Sequence, residues 1–61
     1  MKQRQQEMEL LTVDDVAVIL NVSSKTVRRK IANCELRHHR VGRAVRISSE
    51  DLRAYTNSVR Q

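Results

Sequence analysis

From Leu10 onward the apolar positions change their spacing several times, and each change predicts an element. Val16, Ala17 and Leu20 recur at helical spacing, and so do Val27 and Ile31, four residues apart. Val45 and Ile47 then alternate with Arg46 in the two-residue period of a strand. Leu52 and Tyr55 restore the helical stripe. Residues 1–9 are polar and carry no sustained stripe, which predicts a flexible N-terminal arm. The packed domain is expected over residues 10–56, and residues 57–61 read as a short fraying tail. No repeat, low-complexity tract or linker divides the domain.

The boundaries carry their own chemistry. Thr12 can cap the free N–H groups of a first helix, and Asp15, three residues on, can reach back to complete a capping box. Asp14 and Asp15 suit the positive end of that helix. It should run to about Leu20 and break at Asn21-Val22-Ser23, because Asn tolerates the left-handed turn conformation. Ser23 caps a second helix reaching about Asn33, with Lys25, Arg28, Arg29 and Ala32 opposite its buried side. The small Ala17 permits close approach of the two helices, and Val22 can plug the corner between them. Residues 36–47 predict a two-stranded hairpin, or wing, with its tip near Gly42 to Ala44 and Arg46 facing outward. Such a hairpin must pack on the helices to be stable. Ser48-Ser49-Glu50-Asp51 starts a third helix. The expected architecture is mainly α with a small β-hairpin: about three helices and a two-stranded wing, in a winged helix-turn-helix arrangement.

Length narrows the functions this architecture can serve. A chain of 61 residues forms one small domain. Its core barely compensates the entropy of ordering, so a buried catalytic cleft with its own supporting shell is not expected. The longest apolar run, Val16 to Leu20, is far short of a membrane span, and no signal peptide is visible. The single cysteine, Cys34, cannot form an internal disulfide, which fits the cytoplasm.

Charge adds direction. Residues 22–47 hold eight Lys and Arg and one acid, Glu35, a net of +7. The other residues hold four bases and six acids, a net of −2, which completes the chain's +5. A basic half beside a mildly acidic half reads as an oriented face for a polyanion rather than as a solvated charge run, because the bases occupy structured positions.

Leu11-Thr12-Val13-Asp14-Asp15-Val16-Ala17, Leu20-Asn21-Val22-Ser23 and Thr26-Val27 resemble the helix-turn-helix of the excisionase-type, MerR-like winged-helix family. Glu35-Leu36, Arg40-Val41-Gly42-Arg43, Arg46-Ile47 and Glu50-Asp51-Leu52 continue the pattern, so the resemblance covers residues 10–56. It implies duplex DNA as partner, with the second helix in the major groove and the wing on an adjacent minor groove or backbone. It also implies the role of a recombination directionality factor, which bends attachment-site DNA and helps a tyrosine-type integrase excise an element. The alternatives are a small phage- or plasmid-type transcription regulator, which would use the same DNA-binding surface, and, more distantly, an interaction module whose basic face docks an acidic protein. Several positions depart from the family pattern. Asn21 replaces the usual turn glycine, Lys30 stands where an apolar residue is common, and Val18 occupies a usually charged position. Asn33-Cys34 replaces a glycine-containing turn, and Arg37-His38-His39 replaces a stretch that often begins with proline. Residues 57–61 are too few for the long coiled coil or effector domain of full-length MerR-type regulators, so that regulator class is not expected.

The candidate recognition-helix residues are Ser24, Lys25, Thr26, Arg28, Arg29 and Lys30. Arg28 and Arg29 suit bidentate pairing with guanine, while Ser24 and Lys30 suit phosphate. On the wing the candidates are His39, Arg40, Arg43 and Arg46, with Arg43 at the tip suited to a minor groove and Arg40 and Arg46 to phosphates. No cofactor is expected. His38 and His39 are adjacent and should point apart, and the cysteine-pair spacing of a zinc site is missing. Cys34 has no assignable base and reads as a small turn or core residue. One aromatic, Tyr55, argues against single-strand binding by base stacking. Few base pairs are contacted by one copy, so cooperative self-association or a partner on the same DNA is expected. Val18, the arm and the tail are further candidate partner contacts.

Overall fold

The computed structural model describes residues 9–59; the expected arm falls almost wholly on residues 1–8, outside the described residues, as do residues 60 and 61 of the tail. The chain order is β1 (Leu10–Leu11), α1 (Val13–Leu20), α2 (Ser24–Ala32), β2 (His39–Val41), β3 (Ala44–Ser48) and α3 (Ser49–Val59). Three helices surround a small antiparallel sheet of order β1-β3-β2.

Each helix begins where a side chain satisfies its free N–H groups. Thr12 Oγ1 accepts from Asp15 N–H at 2.9 Å, and an Asp15 carboxylate oxygen accepts from Thr12 N–H at 3.1 Å, forming the capping box. Ser23 Oγ accepts from Thr26 N–H at 3.1 Å, and Ser48 Oγ accepts from Asp51 N–H at 3.0 Å. Thr12→Ala removes half of the reciprocal pair. It is expected to lower stability by about 1 kcal/mol, read in thermal unfolding as a fall of roughly 4–8 °C.

α1 and α2 end the same way. Asn21 takes φ 60°, with Asn21 N–H donating to Val18 C=O and Val22 N–H to Ala17 C=O. Cys34 takes φ 63°, with Cys34 N–H donating to Ile31 C=O and Glu35 N–H to Lys30 C=O. Both sets are Schellman closures, which turn the chain sharply and satisfy the last carbonyls. Val22, expected to plug the first corner, is instead 38% exposed. Hydrogen bonds hold that turn.

The core forms from Val13, Val16 and Ala17 of α1, Val27 of α2, Ile47 of β3 and Leu52 of α3, with Leu36 between α2 and the wing. Val16, Val27 and Ile47 are wholly buried, and Leu36 is 1% exposed. Leu20, Ile31, Val45 and Tyr55 pack around this centre.

The hairpin is shorter at its start than the expected 36–47. Leu36 belongs to the core, and pairing begins at His39 opposite Arg46. Val41 pairs with Ala44, so Gly42-Arg43 is a two-residue loop. Gly42 carries φ 63° and Arg43 has no positive φ, the pattern of a type II′ turn with glycine first. The sheet also has a third strand beyond the expected two. β1 pairs with β3 through Leu10–Ser48 and Leu11–Ile47. Glu9 extends this edge: its C=O accepts from Ser49 N–H at 2.8 Å. α3 continues through Val59, so residues 57–59 of the expected tail are helical.

Candidate nucleic-acid interface

α2 sorts its side chains by angle. Val27 is buried and Ile31 packs on the core, which leaves Lys25, Arg28 and Arg29 exposed. At 100° per residue Arg29 lies directly away from the core, with Lys25 beside it, while Arg28 is rotated to one flank. That flank faces the wing. Arg28 lines a cavity of about 290 Å³ together with Arg43, Arg46, Val45 and the start of α1, Thr12 to Asp14. It also lines a second cavity of about 190 Å³ with His38, Arg40 and Val45. Arg28 of α2 thus borders both cavities, one shared with Arg43 and Arg46 and the other with His38 and Arg40. The flank of α2 at Arg28 and the wing tip at Arg43 border one cavity.

Among the described residues, the ion pairs are Lys30–Glu35 at 3.6 Å and His39–Asp51 at 3.2 Å. Among the described residues, Lys25, Arg28, Arg29, Arg40, Arg43 and Arg46 have no carboxylate partner within that reach. Arg46 donates one hydrogen bond to the Val45 carbonyl at 2.8 Å. The unneutralised bases therefore concentrate on α2 and the wing, the segment whose net charge is +7.

Four expected contact residues are engaged within the protein. The Lys30 ammonium lies 5.7 Å from the Tyr55 ring centroid and beside Glu35. Tyr55 first and then Glu35 hold it above its ordinary pKa. The Lys30 charge is thus directed to Tyr55 of α3 and to Glu35. Ser24 Oγ donates to Asp14 Oδ1 at 2.6 Å, so its one hydroxyl hydrogen is not available to a phosphate while that bond stands. Thr26 Oγ1 accepts from Ser23 Oγ at 3.0 Å inside the cap. His39 Nε2 meets Asp51 Oδ2 and ties β2 to the start of α3. His38 lines a cavity with Arg28 and Arg40. Cys34 is an exposed turn residue.

Thr12 and Asp14 lie at the site without having been expected there. Asp14 reads locally as a helix-dipole residue. Its place beside the arginines comes from the crossing of α1 and α2, which no spacing within α1 reveals.

A family model described as a helix-turn-helix domain matches residues 10–60, most of the chain. The chain belongs to the helix-turn-helix family. This DNA-binding family includes excisionase-like proteins, and its domain supports sequence-specific DNA binding. No curated protein and no solved structure matches the chain. In this helix-turn-helix domain α2 is the second helix of the motif, and the β2–β3 hairpin follows it as the wing. No helix among the described residues is long and apolar enough to cross a membrane.

Proposed function

We propose that this protein is an excisionase-type factor, a binding protein rather than an enzyme. It places α2 in the major groove of a specific duplex and sets the wing against the adjoining backbone. The observation that carries this reading is the shared cavity of Arg28 and Arg43, which puts helix and wing on one basic side. Lys25 and Arg29 project from the convex helix toward base edges, where a bidentate arginine–guanine pair discriminates by about 1–3 kcal/mol. The excisionase assignment rests on the residue pattern over 10–56 and on a family that includes excisionase-like proteins.

The proposed role includes bending. Bending 20–30 base pairs by 40–90° costs on the order of 1–6 kcal/mol. Contacts between adjacent copies, and with a tyrosine-type integrase on the same DNA, offset that cost. The test is footprinting on DNA flanking the protein's own gene, with and without the integrase of the same element. The expected result is a discrete protected site, a bend detected by gel phasing, and an integrase footprint that strengthens when this protein is present. Arg29→Ala is expected to relax discrimination at one base pair while leaving the footprint in place. A protected site confined to a promoter, with integrase binding unaffected, would assign the protein to transcription regulation instead.

A further inference from the structure

We infer that the cavity between the start of α1, α2 and the wing is a seat for a single DNA backbone phosphate, gripped jointly by Arg28 and Arg43. The inference deepens the DNA-binding reading and rests on it. A convex helix reaches base edges on the floor of a groove, whereas a recess cannot. The parts of a duplex that protrude far enough to enter a recess are its phosphates.

The lining matches a phosphodiester. Arg28, Arg43 and Arg46 line the cavity, and no carboxylate pairs with them among the described residues; Arg46 also donates to the Val45 carbonyl at 2.8 Å. Like charges gathered in this way repel until an anion lies between them. A guanidinium fork also matches two phosphate oxygens at once. Asp14 is the one carboxylate on the wall, and the Ser24 hydroxyl holds it at 2.6 Å. Thr12 Oγ1 accepts from Asp15 N–H, which leaves its hydroxyl hydrogen to donate toward the cavity. The seat joins one residue of the recognition helix to one of the wing tip. A phosphate bound there fixes the angle between the two as they engage DNA. The wing-tip arginine consequently acts together with α2 rather than as a separate minor-groove probe.

The test is a set of specific duplexes, each carrying one uncharged methylphosphonate. Binding is measured for the wild-type full chain and for Arg28→Ala and Arg43→Ala, both at exposed positions, with folding checked by circular dichroism. One methylphosphonate is expected to weaken wild-type binding by roughly tenfold. That same substitution should have almost no effect on either variant. If the two variants lose sensitivity at different phosphates, or keep it everywhere, the shared seat is overturned. If wild type fails to prefer its duplex over competitor DNA, the DNA-binding reading fails first, and the unmodified duplex alone reveals it.

Discussion

Leu36→Ala is expected to abolish most of the folded population. Leu36 is 1% exposed and among the largest fully buried side chains. It enters the core directly after the αL turn at Cys34, so the backbone on its N-terminal side is fixed by hydrogen bonds to Lys30 and Ile31 carbonyls. The chain cannot collapse easily into the space a truncation leaves. Leu→Ala at such sites costs about 2–5 kcal/mol. At 0.05–0.15 kcal/mol per residue, a domain of this size has roughly 3–9 kcal/mol in total. The check is thermal unfolding followed by circular dichroism, with Leu10→Ala as control. Leu10 is 50% exposed, and its truncation should move the midpoint little. An unchanged midpoint for Leu36→Ala would remove Leu36 from the core.

Arg28→Ala is expected to give the largest single loss of DNA affinity. Arg28 borders both cavities between α2 and the wing and has no acidic partner among the described residues. A charge-assisted contact of this kind contributes about 1.5–3 kcal/mol, or on the order of 10–100-fold in affinity. A lost phosphate contact should also reduce the slope of log affinity against log salt by about one. Arg28→Lys keeps the charge without the planar fork and should recover only part of the affinity. Arg53→Ala, exposed on α3, is the control and should bind like wild type. Titrations at several salt concentrations measure all three. Equal losses for Arg28→Ala and Arg53→Ala would reduce the interface to diffuse charge attraction.

Which features could be read from the chain depended on the range of the interactions behind them. The caps at Thr12, Ser23 and Ser48 bond to groups three residues away, so residue type and spacing suffice to place them. Asn21 was readable for the same reason, because its left-handed conformation is a local preference. β1 was not, since two residues cannot display a two-residue period. Leu36 looked like the start of a strand, and its burial became visible only with the Schellman turn ahead of it.

The candidate site divides in the same way. The sum of charge over residues 22–47 located the basic half, and the angular positions of Arg28 and Arg29 followed from helical geometry. Charge alone could not say which bases were already engaged. Lys30 turns to Tyr55, 25 residues on, and His39 to Asp51, 12 residues on. Ser24 bonds to Asp14, 10 residues back. Each pairing arises from packing between elements. The candidate contacts that remain outward are Lys25 and Arg29 on α2, with Arg28 and the wing arginines around the cavities.

In the proposed mode of binding, α2 and the wing form one DNA-binding face. Titrating 15N-labelled protein with its specific duplex, and following backbone amide shifts by NMR, tests it most directly. Amides near Lys25, Arg28 and Arg29 are expected to move together with Gly42, Arg43 and the start of α1, at a common stoichiometry, while the exposed side of α3 around Arg53 stays unchanged. Shifts centred on α3, or α2 shifts that saturate while the wing amides stay still, would contradict it.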